Sequence, residues 1–378
     1  MTAWDPDTLR SPLSGAVLKA DTPFSLSAAG ERWPVLDGIP FLRADRRELA
    51  EAALAQLDAG RPDAALVVLL GDQDNWARSA PPDASSCGRV VDEASCLSFR
   101  DAMDLLAFGS VGTYFAHRWS DPTFLSGLAL AEAHDPPGPV FELACGAGHF
   151  LREFGRRGPA SGGDIVFAKL WLARRFVAPE ARLVCFDAAV AWPFADGAFG
   201  TVFCHDAFYF LPDKPHVAAE MQRVASCILV GHAHNALTDN LSSGEPLAPD
   251  AYAALFPGAS LFDDRELTAS LVEARAPRSV AAGALVGAPA VSWAQKAGPA
   301  RPVLGGLAVP PPGTVLRRNP LYEGDRIRWP SPRYETEYAQ LVTYPDEASG
   351  PLTALAGSDP GIDALARRRV LLDLPASW

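Results

Sequence analysis

The sequence predicts an α/β fold built on a parallel sheet, because three short apolar runs each end in a glycine turn or a carboxylate. The first run, residues 140–143, breaks into a turn that holds Gly146 and Gly148. Glycine adopts positive φ at little cost and lets a ligand approach the backbone. The next two runs end at Asp164 and Asp187, which are 23 residues apart. This is the spacing of strand–helix–strand units, whose strand ends hold nucleotide-like ligands.

These strand ends resemble those of the class I S-adenosylmethionine-dependent methyltransferases, of the methyltransferase type 11 kind. In that family the first strand and turn carry an acidic residue and three alternating glycines. Glu142, Ala144, Gly146 and Gly148 occupy those places here, so alanine replaces the first glycine. The resemblance implies a Rossmann-like sheet of seven strands that binds S-adenosyl-L-methionine. A dinucleotide-binding oxidoreductase is the alternative, but residues 149–151 lack the further glycine that a pyrophosphate turn needs.

The resemblance also implies where the cofactor contacts lie. The turn after the first strand is expected under the methionine part, Asp164 at the ribose and Asp187 with the next amide at the adenine. A carboxylate offers only acceptors, which suits the two donors of a ribose diol. The expected cofactor-binding residues are Tyr114, Glu142, Ala144, Gly146, Gly148, Asp164, Ile165, Asp187, Ala188 and His205. For Tyr114, a place in the core is an equal alternative.

A second motif supports the resemblance further along the chain. Residues 191–199 are similar to the proline- and phenylalanine-containing approach to the fourth strand of the family. Gly200 stands where the family has aspartate, which is a second departure from its pattern. We expect the remaining strands of the sheet at residues 200–205, 227–232, 277–280 and 290–295.

The chain is longer than one such core, since it has 378 residues. We expect four units: a small β domain at 1–45, a helical linker or cap at 46–135, the cofactor-binding core at 136–297 and a C-terminal extension at 298–378. Within the second unit, residues 79–98 are rich in proline and serine and are predicted to form a loop. The extension is either a cap over the active site or a contact in a homo-oligomer, and the sequence leaves both open.

The first unit resembles a small zinc-ribbon-like domain, which occurs as a methyltransferase activator and in some rRNA guanine methyltransferases. Its closing hairpin is similar to residues 33–42, with Gly38 in the turn. The first cysteine pair of that domain is replaced by Ser11 and Ser14, and the second pair is lost around Ser27. Because structural zinc prefers thiolate or imidazole, we expect the fold without the metal. A generic β-hairpin is the alternative.

Composition restricts the partners and the compartment. A formal charge of −12 disfavours a nucleic-acid partner, which needs clustered basic residues. The six cysteines form no C-x-x-C pair, and no apolar stretch reaches the length of a membrane span. We therefore expect a cytoplasmic protein that binds a small-molecule acceptor and does not enter a membrane.

The acceptor is expected beyond the fourth and fifth strands, where polar and aromatic side chains follow each other. Four of the seven histidines fall near this predicted site, and His205 is the leading candidate for a general base. His232 or His234 is the runner-up, and a purely packing role for these rings is the alternative. The expected acceptor-binding residues are Asp206, Phe208 and Tyr209; ordinary core packing is the alternative for the aromatic ones.

His232 and His234 could also bind a metal together with Asp206, since residues i and i+2 of a strand share a face. An H-x-H pair without further spaced ligands is a weak signal, and we predict no metal site. The predicted function is methyl transfer to a small molecule, such as a sugar or a specialised metabolite. The alternatives are an rRNA guanine methyltransferase and a catalytically silent scaffold that keeps the fold.

Overall fold

The structure is a computed structural model, and it describes residue 4 and residues 8–73 and 80–378. The other residues of the first predicted unit, 1–3 and 5–7, and residue 79 of the predicted loop lie outside this range. The strands are β1 Lys19–Thr22, β2 Ser25–Ala28, β3 Glu31–Leu36, β4 Ile39–Leu42, β5 Val140–Leu143, β6 Ala160–Asp164, β7 Arg182–Phe186, β8 Phe199–His205, β9 Ala225–His234, β10 Ser260–Asp263, β11 Ala290–Gln295, β12 Val315–Arg318, β13 Tyr322–Glu323, β14 Arg326–Ile327, β15 Thr353–Leu355 and β16 Leu371–Leu372. The helices are α1 Arg47–Asp58, α2 Pro62–Leu70, α3 Ala84–Asp92, α4 Phe99–Leu105, α5 Gly109–His117, α6 Pro122–His134, α7 His149–Gly155, α8 Phe167–Leu172, α9 Lys214–Val224, α10 Pro249–Leu255, α11 Asp264–Val272, α12 Pro332–Tyr338 and α13 Pro360–Arg367.

The predicted α/β fold is confirmed by one large sheet with the strand order β1-β2-β3-β4-β7-β6-β5-β8-β9-β11-β10. From β4 through β7, β6, β5 and β8 to β9, every neighbouring pair is parallel. The strands β10 and β11 then join antiparallel beside β9. The parallel strands end at one edge, so the loops that follow them meet there.

The strands of the first predicted unit, β1 to β4, are part of this sheet. In β4, Phe41 and Leu42 pair in register with Cys185 and Phe186 of β7. The predicted hairpin about Gly38 joins β3 to β4, and Asp37 and Gly38 both have positive φ. Such a turn matches the twist of the strands on either side of it. The expected seven strands are therefore extended to eleven.

Hydrogen bonds hold the turn at residues 11–14, where the resembled zinc-ribbon-like domain has its first pair of zinc ligands. The Ser11 hydroxyl accepts the amides of Leu13 and Ser14 at 3.1 and 3.3 Å. It donates in turn to the carboxylate of Glu31 on β3. A serine that bonds its own backbone can fix such a turn without a metal ion.

Two predicted elements are wrong. The sequence predicts that residues 277–280 pair with β11, but the partner of β11 is β10, where Leu261 pairs with Trp293. Among residues 277–280, Val280 forms a single bridge to Leu261. The predicted loop at 79–98 contains helix α3, whose N-cap is Asp83. The side chain of Asp83 accepts the amide of the residue three positions on, which is a helix-start signal that the prediction overlooked.

The departure from the family pattern at Gly200 has a steric cause. A Cβ atom at this position would lie 2.5 Å from the carbonyl oxygens of Pro137 and Gly138. These two residues lead into β5 and cross the start of β8. Only glycine fits at so close an approach of two backbones.

The C-terminal extension packs on the helices that precede β5. Its small strands β12, β15 and β16 form a second sheet, and its tyrosines form a separate cluster of buried rings. The hydroxyl of Tyr344 donates to the carbonyl of Ser120 at 3.0 Å. The indole of Trp378 donates to the carbonyl of Ala116 at 2.7 Å. Among the described residues, no helix is both long and apolar enough to span a membrane.

Candidate active site

A cavity of about 790 Å³ opens at the carboxyl ends of the parallel strands. Thirteen of the fifteen predicted site residues line it. They are Tyr114, Glu142, Ala144, Gly146, Asp164, Ile165, Asp187, Ala188, His205, Asp206, Tyr209, His232 and His234. The fold thus brings residues from five strand ends and one upstream helix to a single chamber.

Four non-glycine residues on this chamber have left-handed backbone conformations, and three of them lie near the ends of parallel strands. Ala144 and Asp206, with φ of 53° and 52°, directly follow β5 and β8, and His232, with φ of 52°, lies two residues before the end of β9. This conformation costs a residue with a Cβ atom about 1–2 kcal/mol. It also explains why the resembled family has glycine at the position of Ala144. Strain of this kind concentrates at functional sites, where the surrounding structure imposes it.

The end of β5 carries a buried carboxylate, one oxygen of which is unpaired. Glu142 is 3% exposed, and its Oε2 has no hydrogen-bond partner among the described residues. Burial raises its pKa well above the usual range, against the attraction of Arg118. A buried acceptor on a cavity wall suits a cationic ligand group, such as the ammonium of a methionine part.

The aspartates that end β6 and follow β7 are held by backbone amides. Asp164 accepts the amides of Gly146 at 3.0 Å and Val166 at 2.9 Å, and Asp187 accepts that of Ala189 at 2.9 Å. Each carboxylate oxygen has a second lone pair, so both side chains can still accept from a diol or an amine. The residues present therefore fit an adenosine-bearing cofactor.

Two predicted site residues do not line the chamber. Gly148 has φ of 82°, and a Cβ atom there would lie 2.9 Å from that of Ala173, so this glycine lets α7 pack closely. Phe208 is fully buried, and its ring lies 5.5 Å from that of Trp293 and 5.6 Å from that of Phe256. Phe208 therefore belongs to the core, as the alternative interpretation of the sequence had it.

The polar end of the chamber lies beyond β8 and β9. Asp206 accepts from Arg118 Nη1 at 2.9 Å through Oδ2 and from the Tyr209 hydroxyl at 2.8 Å through Oδ1. The Nδ1 atom of His232 lies 2.5 Å from Oδ2 of Asp264, the first residue of α11. Asp264 also accepts from the hydroxyl of Ser292 on β11. Sequence reasoning missed Arg118 and Asp264, since each comes from a segment far along the chain.

The histidines at this end have opposite protonation tendencies. Burial, with Arg118 nearby, lowers the pKa of His205 to about 3, and both of its ring nitrogens lack partners among the described residues. Burial also disfavours the charged form of His232, but the attraction and hydrogen bond of Asp264 outweigh it and raise its pKa to about 9. A low pKa makes His205 a weak base, which argues against its ranking as the leading candidate for the general base.

The N-terminal unit and the C-terminal extension both contribute to the chamber walls. Arg43, which follows β4, donates to the carbonyl of Ile165 and forms ion pairs with Asp45 and Asp72. On the other side, the hydroxyl of Tyr114 donates to Glu337 of α12. No local motif marks Arg43 or Glu337, because their place in the site depends on how distant segments pack.

A family model and several solved structures are similar to parts of this chain. A family model described as a methyltransferase domain matches residues 141–226. No curated protein matches the chain. Many solved structures are similar in part. One is a chain of the complex between the Trm112 methyltransferase activator of Haloferax volcanii and a methyltransferase, at 21% identity, 32% coverage of this chain, 54% coverage of that chain and a TM-score of 0.26.

Two further solved structures are enzymes of this kind. The first is a methyltransferase of Thermotoga maritima, described as a possible histamine N-methyltransferase, at 15% identity, with 39% and 76% of the two chains covered and a TM-score of 0.32. The second is phosphoethanolamine N-methyltransferase 2 of Haemonchus contortus in complex with S-adenosylhomocysteine, at 16% identity, 53% and 59% coverage and a TM-score of 0.36. This chain thus spans about half the length of the first structure named and more of the others.

The matched segment contains β5 to β8, and the cavity lies at their carboxyl ends. Residues 141–226 therefore match a methyltransferase domain, a kind of domain whose cofactor is S-adenosyl-L-methionine.

Proposed function

We propose that the whole protein transfers a methyl group from S-adenosyl-L-methionine to a small-molecule acceptor held at the polar end of the chamber. The observation that carries this proposal is the continuity of the cavity from Asp187 to His234. Three residues of the C-terminal extension also line this cavity: Arg333, Glu337 and Tyr338 of α12. A chamber enclosed by the chain's own extension favours a metabolite over a polymer.

The proposed roles follow the geometry. Glu142, Asp164 and Asp187 hold the cofactor, which supplies an electrophilic methyl group on a sulfonium when it is bound. Methyl transfer is an in-line displacement, so most of the acceleration comes from holding the acceptor atom in line. Asp206, His232 and His234 position a polar acceptor atom and assist the loss of its proton, where it has one.

Calorimetry with S-adenosyl-L-methionine is the first test, and we expect saturable binding of one molecule per chain. Absence of binding at millimolar concentration would leave only a catalytically silent scaffold. The second test is release of S-adenosylhomocysteine with a panel of hydroxylated and amino metabolites. Turnover of a structured RNA in preference to these, falling steeply with added salt, would favour the rRNA alternative instead.

A further inference from the structure

We propose that Asp206, His232 and His234 form a binding site for one divalent transition-metal ion. The candidate ligand atoms of these three residues all lie within 4.8 Å of one another. The residues are half-buried on the wall of the chamber, where an ion can enter from solvent. Two imidazoles and one carboxylate are a ligand set that binds ions such as Zn²⁺, Fe²⁺ or Co²⁺, rather than Mg²⁺ or Ca²⁺.

The surroundings of His232 match those of a metal-binding histidine. Its Nδ1 atom is bonded to Asp264, which leaves Nε2 as the nitrogen that can bind an ion. Asp264 is itself fixed by the hydroxyls of Ser292 and Ser126. A histidine that binds a metal almost always has its other nitrogen bonded to a carboxylate, a carbonyl or water, which fixes the ring orientation.

His234 and Asp206 are also prepared for this role. The Nδ1 atom of His234 is buried and has no hydrogen-bond partner among the described residues. The ring is held against that of Tyr209, with 4.3 Å between the ring centroids. Tyr209 and Arg118 orient the carboxylate of Asp206 by hydrogen bonds, and each oxygen keeps a lone pair for an ion.

Binding needs only a modest closure of the site. Metal–ligand bonds of about 2.1 Å place tetrahedral ligands about 3.4 Å apart, so atoms that are up to 4.8 Å apart must approach by at most about 1.4 Å. Side-chain rotation within each residue supplies such a shift. Three protein ligands leave at least one coordination position open toward the cavity, as in catalytic metal sites.

The charges indicate what fills the open position. A dication and Arg118 carry three positive charges, which balance the carboxylates of Asp206, Asp264 and Asp121, so the open position suits an uncharged oxygen such as that of water or an acceptor hydroxyl. In the reaction, the acceptor hydroxyl loses its proton to water on binding the ion. The oxygen then forms the bond to the methyl carbon as the carbon–sulfur bond breaks and its electron pair stays on sulfur. This role rests on the proposed function, whereas binding of the ion does not.

The test measures metal binding without any acceptor. The full chain is stripped with a chelator and titrated with Co²⁺, whose visible absorption reports nitrogen and oxygen ligands, and with Zn²⁺ by calorimetry. We expect one ion per chain. His234→Ala should weaken the affinity by at least about tenfold, and His232→Ala should do the same. His216→Ala removes a histidine outside the cluster and is the matched control, with affinity unchanged.

Each other outcome overturns the inference. One such outcome is that neither Co²⁺ nor Zn²⁺ binds saturably at millimolar concentration. The other is that the wild-type chain and His234→Ala bind the ion with equal affinity. Retained binding of S-adenosyl-L-methionine shows that a variant is folded. If His232→Ala fails this criterion, His234→Ala decides, because it leaves the ion pair of His232 with Asp264 intact. Metal binding without turnover of any acceptor would support the site and count against the proposed function alone.

Discussion

The imidazole of His232 and the carboxylate of Asp264 form a pair with 2.5 Å between Nδ1 and Oδ2. His232 lines the chamber and Asp264 does not, so Asp264 acts on the site only through the imidazole. Asp264→Asn is expected to weaken Co²⁺ affinity by about 10–100-fold, because the ring loses its anionic partner. Affinity for S-adenosyl-L-methionine should stay the same. Asp263→Asn keeps the helix cap and is the control; an equal loss in both variants would contradict a positioning role for Asp264.

A second prediction concerns the adenine end of the chamber. Asp187→Asn keeps an oxygen for the amide of Ala189 but removes the charge that the cofactor would meet. Loss of a charge-assisted hydrogen bond should weaken the binding of S-adenosyl-L-methionine by about tenfold or more in calorimetry. Asp196→Asn, at an exposed ion pair with Arg223, should leave it unchanged. An unaltered affinity in Asp187→Asn would exclude this carboxylate from the cofactor site.

The strained backbone at Ala144 gives a prediction about stability. Ala144→Gly should raise the free energy of unfolding by about 0.5–1 kcal/mol, because glycine adopts the observed φ of 53° without a steric cost. Ala225→Gly, at an extended residue with φ of −139°, should lower it. Urea unfolding of both variants measures the difference. A loss of stability in Ala144→Gly would show that the Cβ atom packs favourably there.

The buried His117 predicts a dependence of stability on pH. Burial, with Arg100 nearby, lowers the pKa of its imidazole from 6.5 to about 4. The unfolded chain therefore takes up a proton as the pH falls below 6.5, while the folded chain does so only near pH 4. Stability should fall across this window, by up to about 3 kcal/mol from this residue. In His117→Phe, urea unfolding from pH 7.5 to 4.5 should show a shallower decline, and an identical decline would refute this assignment.

A fifth prediction tests the hydrogen-bonded turn that stands in place of a zinc site. Ser11→Ala removes a hydroxyl that accepts two amides and donates to Glu31, and should cost about 1–2 kcal/mol of unfolding free energy. The exposed Ser14, at the other lost ligand position, is the matched control. Its replacement by alanine should have little effect on the midpoint of thermal unfolding. Equal effects of the two variants would mean that the Ser11 hydroxyl does not hold the turn.

The sequence alone determined the order of the strand ends and the residues that follow them. Glu142, Asp164 and Asp187 could be assigned to one edge of a parallel sheet because strand periodicity and turn glycines are local signals. The same signals failed at β10 and at α3. At β10 the hydrophobic pattern was too weak to identify the right strand. At α3 a run of prolines and serines favoured a loop, and the helix cap was overlooked.

Tertiary structure decided which of these residues meet, and with what. The partner of His232 lies 32 positions along the chain, Arg118 and Asp206 are 88 positions apart, and Tyr114 reaches Glu337 across 223 positions. The sequence also could not show that Phe208 faces the core while Tyr209 faces the chamber. Such contacts depend on how whole elements pack, and packing is a property of the folded chain that no local pattern encodes.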